Sequence, residues 1–149
     1  MLSLQTISDR LELTQLVTDY ATAIDSKQMD LLDTVFAPDA YLDYRVFGGI
    51  DGDYPTVKAW LGEVLPRFPA FQHLNGNLDF RINGDEATGR VMCLNPVEMP
   101  SPTGPSQFVF IGLWYIDAYR RAPQGWRIVR RSEVRSFYQS VGSVSAAAP

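Results

Sequence analysis

The chain has 149 residues, 46% of them hydrophobic, and a formal net charge of −4. That length and apolar content suit one domain with a substantial core and exclude a disordered chain. The mild acidity, with basic residues scattered until the C-terminal third, argues against a nucleic-acid surface. The one basic cluster, Arg120-Arg121 with Arg127, Arg130 and Arg131, reads as solvated strand edges and a hairpin turn.

A single cysteine, Cys93, precludes an internal disulfide and fits a reducing compartment. The start, Met1 to Gln5, lacks the basic flank of a signal or transit peptide. No stretch reaches the roughly 18 apolar residues of a membrane span. A cytoplasmic protein with neither membrane nor nucleic acid as partner is expected.

From Ile7 to Ile24 apolar residues recur at helical spacing, with Thr6 and Asp9 as a weak capping pair at the start. A second, shorter helix is expected near Asp30 to Phe36, stopped by Pro38. Ala40 to Val46 reads as a strand, Gly48-Gly49 with Gly52 as a loop, and Thr56 to Leu65 as a third helix. Four stretches rich in β-branched and aromatic residues follow: Phe71–Ile82, Glu86–Val97, Gln107–Tyr119 and Trp126–Tyr138. Asn83-Gly84-Asp85, Pro100 through Pro105, and Ala122 through Gly125 separate them as turns. Adjacent strands with short turns predict an antiparallel meander. The third of these, apolar on both faces, is expected to be central and covered on both sides, one of them by another subunit. Residues 141–149, rich in Ser and Ala, are expected to be a disordered tail after a single domain over 1–140.

Helices first and a sheet after is the α+β pattern, and a curled sheet closed by helices leaves a pocket. His73, the one histidine, is a candidate general acid or base near neutral pH. The alternative is a strand-end histidine bonded to a carbonyl. Gly76 between Asn75 and Asn77 suggests a bulge that re-aims the start of this strand into the cavity. Asp25 closes the first helix beside its buried face, where a carboxylate opposes the helix dipole. It is either a polar exit turn or the partner that orients His73. Tyr20 and Tyr44 are candidates to donate a hydrogen bond to a substrate oxygen, or core residues with a wet tip. Asn95 and Arg135 lie in later strands, and Arg135 either meets a substrate or is simply exposed. Trp60, Phe71 and Trp114 join Tyr20 as expected aromatic lining. With one histidine and one cysteine, no metal site is expected.

Together these residues resemble the SnoaL-like branch of the nuclear transport factor 2-like superfamily, from about Ile7 to Tyr138. The resemblance rests on Ile7-Ser8-Asp9-Arg10-Leu11-Glu12, Tyr20 with Asp25, and Phe36-Ala37-Pro38-Asp39-Ala40. It continues through Gln72-His73-Leu74, Ala87-Thr88-Gly89-Arg90 and Gly125-Trp126-Arg127-Ile128. Within the family the chain looks most like the scytalone dehydratase and bile acid 7-alpha-dehydratase type. Ile24 replaces a tyrosine of the first, and Asn95 an acidic residue of the second. The resemblance implies a cone of about three helices on a strongly bent antiparallel or mixed sheet. It implies a cofactor-independent dehydratase or isomerase acting on an apolar hydroxylated carbonyl compound of polycyclic, aromatic or polyketide type. His73 would be the base, Asp25 its orienting partner, and Tyr20 or Tyr44 the group that polarises the carbonyl or assists the leaving hydroxyl. Its alternatives are a non-catalytic binding or accessory subunit, a polyketide cyclase or an epoxide hydrolase. A homodimer or homotrimer is expected.

Overall fold

The computed structural model describes residues 1–101 and 104–141. Helix α1 spans Leu4–Asp25 and starts one turn earlier than the sequence pattern suggests. Its cap is Ser3, whose Oγ accepts from the Thr6 backbone N–H at 3.1 Å, which satisfies one of the first-turn donors. Asp9 is therefore no capping residue. It is buried and accepts from Trp126 Nε1 at 3.2 Å and pairs with Arg121 at 2.8 Å. Leu13, Leu16, Val17, Tyr20, Ala23 and Ile24 form the buried stripe of α1, whereas Ile7 and Leu11 remain exposed.

The expected second helix is a 3₁₀ turn, Met29–Thr34. Phe36 already belongs to strand β1, Phe36–Asp43, so Pro38 lies inside a strand and stops no helix. A proline has no N–H to give a ladder, and the pairing of β1 with its neighbour slips between Phe36 and Tyr41. Arg45–Phe47 forms another short turn, closed by Gly48 at φ 86°, before strand β2, Asp51–Asp53. Helix α2, Tyr54–Val64, is capped by Asp53, with Pro55 in its first turn, and buries Tyr54, Val57 and Leu61.

Strands β3 (Leu74–Asn83), β4 (Glu86–Met99), β5 (Gln107–Ala122) and β6 (Gly125–Val141) form the expected antiparallel meander. Asn83 pairs with Glu86 across Gly84-Asp85, and Gly84 takes φ 62° as a two-residue hairpin loop demands. The sheet order is β2-β1-β6-β5-β4-β3, with β1 parallel to β6 and every other pairing antiparallel. The fold is thus α+β: helices packed on an open, six-stranded mixed sheet. The tail expectation falls outside the described residues except at Val141, which ends β6.

Two slips in β6 decide which residues face the helices. Ala118 pairs with Arg130 and Tyr119 with Ile128, leaving Val129 as an extra residue. Gly112 pairs with Phe137 and Leu113 with Arg135, so Ser136 is a second one. Each inserted residue turns the following side chains to the opposite face. Arg131 consequently points inward and is fully buried, which corrects its reading as part of a solvated edge. Its Nε and NH2 donate to Asp117 at 2.8 and 2.7 Å, and its guanidinium lies 4.1 Å from the ring centres of both Tyr20 and Tyr115.

The outer face of β5 and β6 carries exposed Phe108, Phe110, Ile116, Val134 and Phe137. Trp114 shares this face with its ring beneath the Arg90 guanidinium at 3.5 Å, so it is not pocket lining as expected. Gly112 admits Phe137, because a Cβ there would lie 2.2 Å from its ring.

Candidate active site

A cavity of about 230 Å³ opens between α1, α2 and the inner face of the sheet. It is half again as large as the ~150 Å³ cavity that accommodates benzene in an engineered protein core. Its walls are mainly apolar and aromatic, including Trp60 from α2, Phe71, and Ile111 and Leu113 from β5.

His73 sits immediately before β3, in a segment fixed at both ends. Gln72 N–H donates to Pro96 O at 3.2 Å, and Glu98 N–H to Ala70 O at 2.7 Å. Lys27, in the left-handed conformation just after α1, donates to Phe68 O at 2.8 Å and ties the same segment to the helix exit. Asp25 then meets His73 through both carboxylate oxygens. Oδ1 lies 2.6 Å from the imidazole Nδ1, and Oδ2 accepts the His73 backbone N–H at 2.9 Å. The His73 side chain is only 7% exposed, against 26% for Asp25.

A carboxylate accepts only, so the Nδ1 proton belongs to the imidazole and the Nε2 lone pair is left for another donor. In this structure that donor is Asn95, whose Nδ2 lies 2.8 Å from Nε2. This leaves Asn95 Oδ1 buried without a protein partner, in the cavity wall. The expected bulge is present after Gly76: pairing with β4 slips between Gly76 and Asp79, and Asn77 takes φ 46°.

Tyr20 and Tyr44 face the cavity with their hydroxyls 3.2 Å apart. Burial pushes the Tyr20 phenol up, with the Arg131 charge opposing, and pushes Tyr44 well above its ordinary value. Both therefore remain neutral O–H groups through the physiological range. The Tyr20 ring also meets His73 edge-on at 6.1 Å, bringing the phenol pair beside the imidazole.

The structure thus brings His73, Asp25, Tyr20, Tyr44, Asn95, Trp60 and Phe71 together around one cavity, Asp25 through its grip on His73. It does not bring Arg135, which is exposed with its guanidinium over the Tyr138 ring at 5.4 Å. One cavity residue that the sequence reading missed is Glu133 on β6. Burial pushes its carboxyl up to about 7, against the lowering effect of Arg131. A run of Arg-Arg-Ser-Glu-Val-Arg gives no sequence signal for an inward carboxyl; only the inserted Val129 puts it there. Cys93 is buried and its thiol pushed up to about 12, which makes it an inert part of the core. Among the described residues no cluster of three or more His, Cys, Asp or Glu is arranged to hold a metal. No helix there is long and apolar enough to cross a membrane.

Residues 5–132 match the family of SnoaL-like domains. The chain belongs to this family. It is 52% identical over 137 residues to the uncharacterized protein Rv2910c of Mycobacterium tuberculosis, covering 92% of each chain. An uncharacterized protein of Mycobacterium bovis matches to the same extent. Among solved structures, a hexachlorocyclohexane dehydrochlorinase of Novosphingobium barchaimii superposes with a TM-score of 0.79 at 18% identity, covering 96% of this chain and 97% of that one. A scytalone dehydratase-like protein of Novosphingobium aromaticivorans gives 0.76 at 16% identity, with 95% and 97% covered. The Kfla4162 protein of Kribbella flavida gives 0.80 at 23% identity, with 89% and 93% covered. At these identities the likeness is one of fold, the cone shared by nuclear transport factor 2-like proteins.

Proposed function

We propose that this SnoaL-like domain is a cofactor-independent lyase that eliminates a leaving group, water in the first instance, from the carbon β to a carbonyl. The observation that carries the reading is the two-point grip of Asp25 on His73 at the wall of an aromatic cavity. A carboxylate on Nδ1 fixes the tautomer with Nε2 basic and stabilises the imidazolium formed when Nε2 takes a carbon-bound proton. Tyr20 and Tyr44 supply hydroxyl donors for the oxygen on which enolate charge develops. Asn95 must yield Nε2 to the substrate, and its partnerless Oδ1 then offers an acceptor for a substrate hydroxyl. Cavity size favours a one- or two-ring compound. A structural relative named as a dehydrochlorinase and another as scytalone dehydratase-like both bear names of elimination chemistry.

The test is a panel of bicyclic β-hydroxyketones followed for loss of water, with His73→Ala and Asp25→Asn beside the wild type. General-base catalysis contributes about 10²–10⁴-fold, so both variants are expected to lose at least 10²-fold while keeping the fold. A His73→Ala protein as active as wild type overturns the reading. One observation favours a second reading, a binding protein without catalysis: in the free protein the Nε2 lone pair is already taken by Asn95. Ligand binding with no turnover in the wild type, unchanged in His73→Ala, would support it.

A further inference from the structure

Among the described residues, Glu133 is the one cavity carboxyl that the elimination reading leaves unused. It reaches the cavity because the inserted Val129 turns Arg131 and Glu133 to the inner face of β6. Among the described residues its carboxyl makes no side-chain hydrogen bond and has no cation within 4 Å. The nearby guanidinium of Arg131 spends Nε and NH2 on Asp117 and is held between two aromatic rings, while its buried NH1 makes no hydrogen bond to Glu133 or to any other group among the described residues. The other groups that act on or feel this carboxyl are Asp43 from β1, Tyr20 from α1, Tyr44 beyond β1, Cys93 from β4 and Tyr115 from β5. A partly buried carboxylate with no partner is costly, so the proton stays on until unusually high pH.

Elimination of water needs two proton transfers, because hydroxide is a poor leaving group. His73 accounts for the first. The phenols in the wall are too weakly acidic for the second, since burial moves Tyr20, Tyr44 and Tyr115 all upward. A carboxyl that exchanges its proton near neutrality suits the task.

We infer that Glu133 is the general acid of this site, donating its proton to the departing hydroxyl from the β6 wall while His73 acts from the β3–β4 side. The inference rests on the elimination reading above. His73 Nε2 takes the proton on the carbon next to the carbonyl, and that C–H electron pair becomes the new C=C bond as the C–O bond breaks. The oxygen leaves with its bonding pair, receives the Glu133 proton and departs as water. Imidazolium and carboxylate remain, and transfer of the proton from His73 to Glu133 through solvent restores the starting state.

The experiment compares two probes, a bicyclic β-hydroxyketone and the matching β-chloroketone, each corrected for spontaneous elimination. Chloride leaves without a proton, so only the hydroxyl probe needs Glu133. Glu133→Gln is expected to slow loss of water by about 10²-fold or more while leaving loss of chloride within a few-fold of wild type. Its rate with the hydroxyl probe should also lack the fall that wild type shows above about pH 7. Asp25→Asn and His73→Ala should lose both reactions. Equal rates on the hydroxyl probe for Glu133→Gln and wild type overturn the role of Glu133 and leave the base intact. Both probes turned over by His73→Ala at the wild-type rate overturn the elimination reading itself. Independently of any probe, ¹³C NMR of the labelled carboxyl that shows Glu133 ionising below pH 5 overturns the inference.

Discussion

The Arg131–Asp117 pair is the sharpest test of how this core is held. Both side chains are fully withdrawn from solvent, and the two N–H···O contacts are 2.8 and 2.7 Å. Burial works against the guanidinium charge, but the Asp117 carboxylate outweighs it and holds Arg131 above its ordinary value. Asp117→Asn keeps one acceptor oxygen, enough for Arg131 NH2 and for the Tyr119 hydroxyl, which donates to Asp117 at 2.8 Å, but it sets an amide NH2 against Arg131 Nε and removes the compensating charge. Leaving one partner of a buried pair uncompensated costs about 3–5 kcal/mol. For a chain of this length the unfolding entropy is about 0.3 kcal/mol per degree, so Tm should fall by about 10–15 °C. Replacing both partners by apolar residues, Asp117→Leu with Arg131→Met, should cost less, about 1–3 kcal/mol, from the Tyr119 hydroxyl that loses its acceptor. Urea denaturation followed by tryptophan fluorescence measures all three proteins. An Asp117→Asn protein within 1 kcal/mol of wild type, or a double variant as unstable as the single one, would refute the argument that an uncompensated charge is what hurts.

Asp25→Asn should keep the fold, and in ¹⁵N NMR its His73 ring should no longer hold the Nδ1–H tautomer that the carboxylate imposes; an unchanged ring spectrum would count against the grip. Glu133 has a folded-state pKa raised to about 7 from about 4.5, so its protonated form favours the fold. Its contribution is complete below pH 4.5 and is lost as pH rises through 7, on the order of 3 kcal/mol. Glu133→Gln should lack that loss, visible as a flatter Tm-against-pH curve between pH 5 and 8. The outer face of β5 and β6 is proposed to pack against a second copy of the chain. Phe110→Glu with Val134→Glu should then lower the mass found by sedimentation velocity, whereas a monomeric wild type would remove the reason for the patch.

Much of the fold can be read without coordinates because local rules and tertiary packing agree. The Ile7–Ile24 periodicity, the Gly84 hairpin and the long aromatic strands each follow from backbone preferences that the packed sheet leaves unchanged. Pro38 misleads because a proline that ends a helix in isolation is equally at home at a slip in a strand. The parallel pairing of β1 with β6 joins residues some ninety positions apart, and no local pattern encodes it.

The site divides along the same line. Asp25 and His73 are legible because each stands out locally: a carboxylate at the wrong end of a helix, and the one imidazole of the chain at the start of a strand. Arg131 and Glu133 break no local rule, since alternating charges on a C-terminal strand look like any solvated edge. Their inward direction depends on one extra residue, Val129, and a slip of one residue exchanges the faces of everything beyond it. The second extra residue, Ser136, exchanges them again, so Tyr138 lines the cavity. Arg135, the arginine singled out from sequence, lies just before it and ends exposed. A strand read as regular from Trp126 and Ile128 would therefore turn Arg130 inward in place of Arg131 and overlook the carboxyl, however well the rest of the fold were understood. The bulges decide which charges share the cavity with His73, and the proposed role of Glu133 as a second proton-transfer group stands on them.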